Sequence, residues 1–469
     1  MKNEFGIIGL GVMGKSLARN FAKNGCRLSL FNRHVAGMEE NVANALIHEF
    51  PELKDCQGFD DLESFVNSLE VPRKILIMVN AGKAIDVVIE QLSTHLQSED
   101  ILIDGGNSYY KNTDSRNKLL SNRGIQYIGM GVSGGEEGAL NGPSLMSGGN
   151  FQAYRQIEHY LNKIAAKDLN GTPCSQFIGK DGAGHFVKMV HNGIEYGEMQ
   201  LIAEIYLILR YHNDLDPDEI STIFKTWNGS SLRSYLLDST AKILRKKDGD
   251  EFLIDLILDK ASHKGTGSWT TITAAELGIP FSMASSALNA RYISAFKEMR
   301  SDLSTIYKLK QKRMRDIGIE QLKNSYQIAR IVNHHQGFQL IGQASMTYNW
   351  NIDLKKVAMV WTSGCIIASQ LMETIVGILD QNETILENNN ISGQINSQHE
   401  HLKSVVVQAI EINSPIPCLT ESLNYLNAIT RAMGTGNIIQ AQRDFFGSHT
   451  YKRIDDPQGL SHHTNWKND

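Results

Sequence analysis

Proline is scarce, at nine in 469 residues, and a chain with so few helix breakers suits a large helical region. Cysteine is scarcer: Cys26, Cys56, Cys174, Cys365 and Cys418 make an odd number with no close pair, no CxxC and no Cys/His cluster. That pattern argues against a disulfide framework or a zinc site of ordinary spacing, and implies reduced thiols in the cytosol. Long apolar runs are missing too. The longest uncharged stretch, Val357 to Met372, is too short and too polar to span a bilayer and reads as a buried helix. Positive charge is not in excess. The net charge of −5 argues against a nucleic-acid or anionic-membrane partner. The main basic stretch, Lys308, Lys310, Lys312, Arg313 and Arg315, reads as a solvated helix face. No tandem repeat is visible, and the N-terminus runs directly into Phe5-Gly6-Ile7-Ile8-Gly9 without room for a signal peptide. The expected location is therefore cytoplasmic.

What is present is the composition of a globular protein, 41% hydrophobic and 21% charged. Its length exceeds one ordinary core, so more than one domain is expected. Up to Gly171 the chain alternates short apolar runs with amphipathic stretches. Candidate strands are Phe5–Ile8, Arg27–Phe31, Lys74–Val79, Ile101–Asp104 and Gln126–Met130, with helical spacing in Val12–Asn24 and Ala84–Leu96. This alternation predicts an α/β fold with a parallel sheet covered on both faces. After Gly171-Thr172-Pro173 and the glycine-rich 179–184, helical patterns dominate from His185 to Ala432. The Asn-rich stretch 387–398 reads as a loop between helices, and the chain from Gly434 onward, without clear period, as a tail. The expected division is a dinucleotide-binding domain over 1–178, an all-helical substrate domain over 179–433 and a C-terminal tail over 434–469.

Gly9-Leu10-Gly11-Val12-Met13-Gly14 follows the first strand and opens the first helix. Glycines there permit a tight turn and close backbone approach, and the helix N-terminus faces a pyrophosphate. The second strand ends in Asn32-Arg33-His34, where NAD binders usually carry an acid for the ribose hydroxyls. A fixed cation at Arg33 suits a 2′-phosphate instead, so NADP is the expected coenzyme.

The helical region opens with a dense cluster of chemistry. At about 100° per residue, Lys188, His191, Asn192, Glu195 and Tyr196 fall within an arc of roughly 140°. One face thus collects an amine, an imidazole, an amide, a carboxyl and a phenol. His191 and Glu195 stand at metal-pair spacing, but no convincing third ligand accompanies them, so no metal is expected. Asp104-Gly105-Gly106-Asn107-Ser108 and Ser133-Gly134-Gly135-Glu136 each follow a buried strand, where ligand sites gather in open sheets. Lys264-Gly265-Thr266-Gly267, Arg291, Arg443 and His449 supply cations and hydroxyls suited to a phosphate.

The stretch GAGHFVKMVHNGIEYGEMQL, Gly182 to Leu201, closely resembles the signature of the decarboxylating 6-phosphogluconate dehydrogenases. The likeness runs over essentially the whole chain. It takes in the coenzyme turn, 104–108 with 133–136, 259–267, Ala290-Arg291, 440–447, His449 and His463-Thr464-Asn465-Trp466. The resemblance implies a Rossmann-like domain, a large all-α domain and a tail that reaches into the partner subunit of a homodimer. It implies oxidative decarboxylation of 6-phosphogluconate to ribulose 5-phosphate with NADP, without metal. By position, Lys188 resembles the general base and Glu195 the general acid. Asn107, Ser133, Gly134, Gly135, His191 and Asn192 resemble substrate or nicotinamide contacts. Tyr196, Lys264, Thr266 and Arg291 resemble phosphate ligands, with Arg443 and His449 from the other subunit. Gly9, Leu10, Gly11, Val12, Met13, Gly14, Asn32, Arg33, His34, Val79, Asn80, Ala81 and Asn107 fall on the coenzyme positions. The sequence departs from the family pattern at Asn80, Ser147, Ser268, Thr362 and Ala368 and over Ala432–Gly436. These departures leave two alternatives: a paralogue acting on another phosphorylated aldonate, or an inactive protein that binds a nucleotide or sugar phosphate.

Overall fold

The computed structural model describes residues 2–262, 265–307, 309 and 317–466. Eight strands form the main sheet: β1 (Phe5–Ile8), β2 (Leu28–Phe31), β3 (Gln57–Phe59), β4 (Lys74–Ile77), β5 (Ile101–Asp104), β6 (Gln126–Ser133), β7 (Ser144–Gly149) and β8 (Ser175–Gly179). Their order is β3-β2-β1-β4-β5-β6-β7-β8. Chain direction across the sheet reverses between β1 and β4, which opens a crevice at the carboxyl ends of those strands. Apolar residues cover both faces because β1 alternates: Phe5 and Ile7 join one cluster with Leu17, Phe21 and Leu161, while Ile8 joins another with Ile85, Ile89 and Leu120.

β1 to β6 run parallel, as the alternation predicts, but β7 runs antiparallel to β6 and parallel to β8. The reason lies in the connection. Between Ser133 and Ser144 the chain holds only the short helix Gly135–Asn141, and a parallel return needs a crossover of about a dozen residues or more. β3, β7 and β8 were not among the expected strands. β3 has three residues, and β7, SLMSGG, has no β-branched residue to advertise it.

Beyond β8 the described residues are mostly helical, with short strands at Lys247–Asp248 and Glu251–Phe252. Helix Ala183–Leu207 is buried along most of its length and is the axis of this part, flanked by Thr266–Glu276, Ser282–Ala295 and Ile319–Thr347. It sits close on β6 and β7 because glycines meet at the crossing: a Cβ on Gly184 would strike the carbonyl oxygens of Gly129 and Met146, and one on Gly131 would strike Lys188 Cβ. Arg330 of helix Ile319–Thr347 binds Glu198 through Nε at 2.8 and 3.0 Å, and Tyr326 donates to the same carboxylate at 3.1 Å. The buried charges are thereby paired and hydrogen-bonded rather than orphaned.

Three expectations about helices are corrected. The stretch Val357 to Met372 is two helices, Leu354–Val360 and Gln370–Asp380, because the carbonyls of Gly364 and Ala368 accept from Ser144 and Tyr235 instead of continuing a helix. The Asn-rich segment begins helix Asn389–Glu411, with Asn388 Oδ1 capping the N–H groups of Asn390 and Ile391. The tail contains helix Gly436–Gly447, whose Ile438, Ile439 and Phe446 are exposed; apolar residues outside the core leave little period to read. The basic stretch Lys308, Lys310, Lys312, Arg313 and Arg315 lies outside the described residues. Among the described residues, no helix is long and apolar enough to cross a membrane.

Candidate active site

The glycine turn is built for close approach. Gly9 has φ +88°, and a Cβ on it would meet the Met78 carbonyl oxygen at 2.7 Å; one on Gly14 would collide with the Gly9 carbonyl. Gly11, the N-cap of helix Val12–Lys23, faces open space, and the first turn of that helix carries no acid. An anion can therefore reach the free N–H groups and the positive end of the helix. Leu10 N–H donates to Asn32 Oδ1 at 3.1 Å, tying the turn to the end of β2. Two clefts meet here. One, of about 500 Å³, runs past Leu10, Asn32, Arg33 and Asn80. The other, of about 660 Å³, runs from Val12 and Met13 past Val79, Asn80 and Ala81 to Asn107 and Val132. Together they make a crevice that fits a dinucleotide. His34 is exposed and lines neither cleft.

Asn107 is held at the far end by Asp104, whose carboxylate accepts from Gly106 N–H at 3.0 Å, Ser108 Oγ at 2.7 Å and Tyr127 Oη at 2.9 Å. Arg116 buttresses the turn: its NH1 donates to Ser108 at 3.2 Å and its NH2 to the Gly82 carbonyl at 3.1 Å. Sequence reading missed Arg116, because a lone arginine in a polar helix carries no signal of its own. It missed the aromatic pair Tyr109 and Trp269 too, with ring centroids 5.1 Å apart, which brings helix Thr266–Glu276 against the cleft.

Next to Val132, the end of β6 meets the long helix. Ser133 Oγ lies 3.1 Å from His191 Nε2, while His191 Nδ1 is 3.3 Å from both Lys188 Nζ and Asn192 Oδ1, and 3.6 Å from Glu195 Oε2. Burial, and then the neighbouring Lys188, lowers the His191 pKa well below the ordinary value. His191 is therefore a neutral ring that accepts from one side and donates to the other. Burial lowers the Lys188 pKa against the pull of Glu195 and Cys365. Burial raises the Glu195 pKa against Lys188 and Arg291. One helix face thus presents an amine inclined to be neutral and a carboxyl inclined to be protonated, the pair a base and an acid require. Gly134 and Gly135 continue from Ser133 with φ +127° and +64° and open the short helix after β6. Among the described residues no group of three or more metal-ligating side chains converges.

One turn on, the Arg291 guanidinium lies over the Tyr196 ring at 3.7 Å, and the start of helix Thr266–Glu276 packs Gly267 against the same ring. Tyr196, Thr266 and Arg291 are thus brought together beside Glu195; Lys264 lies outside the described residues. The tail is organised separately. Asp444 accepts from Thr450 N–H, His463 Nδ1 and Trp466 Nε1, and it leaves Arg443 and His449 exposed, the first bonded to Gln440 and the second edge-on to Phe446. Four of the departures from the family pattern have a definite setting in the structure. Asn80 lines both clefts, Ser268 Oγ donates to the Gly265 carbonyl at 2.6 Å, Thr362 Oγ1 to that of Met359 at 2.8 Å, and the Ser147 hydroxyl is buried in β7 without a partner.

A crevice that holds a nicotinamide beside a lysine of lowered pKa can take hydride and proton from one carbinol, and a dinucleotide-dependent dehydrogenase is the class that fold and site define. Residues 4–179 match the NAD binding domain of 6-phosphogluconate dehydrogenase, and residues 184–466 match the C-terminal domain of 6-phosphogluconate dehydrogenase. The chain belongs to the 6-phosphogluconate dehydrogenase family. It is 42% identical to the NADP(+)-dependent, decarboxylating 6-phosphogluconate dehydrogenase of Bacillus subtilis, over 99% of both chains. It is equally similar, 42% over 99% of both, to the decarboxylating enzyme of Escherichia coli. The Plasmodium falciparum 6-phosphogluconate dehydrogenase, solved in its apo form and in complexes with NADP+ and 6-phosphogluconate, superposes with a TM-score of 0.92 at 36% identity, covering 99% of this chain and all of that one.

Proposed function

We propose that the protein catalyses the oxidative decarboxylation of 6-phosphogluconate to ribulose 5-phosphate and CO2, with NADP as coenzyme. The observation that carries the reading is the helix face on which buried Lys188 and half-buried Glu195, with opposite pKa shifts, stand between the dinucleotide crevice and the Tyr196–Thr266–Arg291 cluster. In this reading Lys188 takes the proton of the substrate's 3-hydroxyl, and neutral His191, held by Ser133, keeps its amine in place. NADP, when bound, accepts the hydride from C3. Lys188 then returns its proton to the ketone oxygen as the bond to the carboxylate breaks and CO2 leaves. Glu195 protonates the carbon that becomes C1 of the product while the neutral Lys188 takes back the enediol hydroxyl proton, restoring the ketone at C2. Asn107, Ser133, Gly134, Gly135 and Asn192 orient the sugar acid and the nicotinamide. Tyr196, Lys264, Thr266 and Arg291 take the substrate phosphate, and Arg33 the coenzyme 2′-phosphate.

The working division of the chain is 1–178 for coenzyme, 179–433 for substrate and dimerisation, and 434–469 for the tail. The assembly in this reading is a cytoplasmic homodimer in which Arg443 and His449 complete the partner's phosphate site. The exposed Ile438, Ile439 and Phe446 support it, since such a row of apolar side chains seeks a surface to cover. Measuring NADPH formation and CO2 release with a panel of phosphorylated aldonates tests the whole. Turnover of 6-phosphogluconate above the others is expected. Preference for another aldonate would make this a related enzyme, and binding without turnover would make it a sensor or scaffold.

A further inference from the structure

The crevice toward the adenosine end of the coenzyme carries a carboxylate where a 2′-phosphate is expected to bind. Glu39 takes Arg33 Nε on Oε2 at 3.1 Å and Arg33 NH2 on Oε1 at 3.2 Å, a two-pronged pair. Asn32 Nδ2 also donates to Glu39 Oε2, at 3.1 Å, while Asn32 Oδ1 holds Leu10 of the glycine turn. Glu39 is set there by its own loop, because Val35 and Glu39 exchange both backbone hydrogen bonds at 2.8 Å. It lines the same cleft as Gly9, Leu10, Asn32 and Arg33. Hydrogen bonds from Arg33, then Asn32, hold its carboxyl below the usual range, so it is an anion at neutral pH. The neighbouring Met38 is exposed and brings no second cation.

We propose that Glu39 sets the coenzyme ratio of this chain: its carboxylate competes with the 2′-phosphate of NADP for Arg33 and offers an acceptor to the 2′-hydroxyl of NAD. The inference rests on Arg33 being the residue that takes the 2′-phosphate. A phosphate arriving at the guanidinium must displace a bidentate carboxylate and then sit near it as a like charge. The hydroxyl of NAD meets neither cost and finds the acidic partner that NAD sites ordinarily place at the end of the second strand. Arg33 is therefore already engaged before coenzyme arrives, and its preference for NADP is blunted.

Calorimetric titration with adenosine 2′,5′-bisphosphate and with AMP, alongside KM for NADP and NAD, tests this in wild type, Glu39→Gln, Arg33→Ala and the double variant. Glu39→Gln is expected to tighten the bisphosphate about three- to five-fold, to leave AMP unchanged or weaker, and to raise the NADP-over-NAD ratio. In the Arg33→Ala background the gain shrinks, since there is no longer a shared partner to contest. If Arg33→Ala weakens the bisphosphate while Glu39→Gln leaves it unchanged, Glu39 plays no part and the role of Arg33 stands. If Arg33→Ala leaves the bisphosphate unchanged, the assignment of Arg33 fails and takes the inference with it.

Discussion

Replacing Gly131 with alanine puts a methyl group into the seam that fixes the proposed base. The new Cβ would lie 3.1 Å from Lys188 Cγ and 3.2 Å from the Gly184 carbonyl oxygen, and closer still to Lys188 Cβ. Rotamer changes relieve none of the last contact, because a Cβ moves only with its backbone. Helix Ala183–Leu207 must therefore retreat from β6, and overpacking of this kind costs about 1–3 kcal/mol. The functional cost is larger than the structural one. The His191–Ser133 contact of 3.1 Å crosses the same seam, so Lys188 and its positioning ring move together away from the end of β6 and the coenzyme crevice. A displacement of about 1 Å at reacting groups costs on the order of 10²-fold in rate. Gly131→Ala is accordingly expected to lower kcat about 10²-fold while Kd for NADP, measured by fluorescence titration, changes little, since the glycine turn follows β1. Retained NADP affinity serves as the check on folding. A variant that binds NADP normally and keeps kcat within about threefold of wild type would refute the claim that this seam positions Lys188.

Lys188→Met should abolish turnover, by at least the roughly 10²–10⁴-fold typical of losing a general base, and leave NADP binding intact. It should also raise Tm. Burial lowers the folded pKa of Lys188 below the ordinary 10.5, so the unfolded chain takes up a proton that the folded one resists, and stability falls as pH drops through that window. The gain in Tm should then be large near neutral pH and shrink as pH approaches the ordinary lysine value; a gain independent of pH would remove burial of the amine as its cause. Glu195→Gln should spare NADPH formation more than entry of solvent deuterium at C1 of the product, and equal losses would contradict its role as the acid. Ser147→Ala removes a buried hydroxyl without a partner and should stabilise the protein by about 1 kcal/mol in urea denaturation, with destabilisation counting against the reading. Mixing subunits of Lys188→Met and Arg443→Ala should restore about a quarter of wild-type activity if the tail completes the partner's site, since one site of each mixed dimer carries no lesion. Mixed dimers without rescue would assign the tail to its own subunit.

Much of the site was legible because its order along the chain is local. The turn from Gly9 to Gly14 reads as a phosphate cradle from glycine spacing after a strand, and the face from Lys188 to Tyr196 reads as one cluster because helical period is a property of sequence. The antiparallel β7 was not legible, since strand direction follows from how far the chain travels before returning. The break at 361–369 escaped for a related reason: Ser144 and Tyr235, far away in sequence, take the carbonyls that would have extended the helix.

Residue types, then, were set by the sequence alone: a cradle for a pyrophosphate, a cation after the second strand, an amine and a carboxyl on one helical face. Their chemistry was decided by the tertiary structure. Lys188 and Glu195 acquire opposite pKa shifts only when the glycine seam carries their helix against β6 and excludes water, because desolvation depends on everything packed around a group and not on its neighbours in the chain. Arg33 reads in sequence as a free cation, and folding hands it to Glu39 across a tight loop. Charge is written residue by residue, but which charges meet is fixed by the path of the backbone between them.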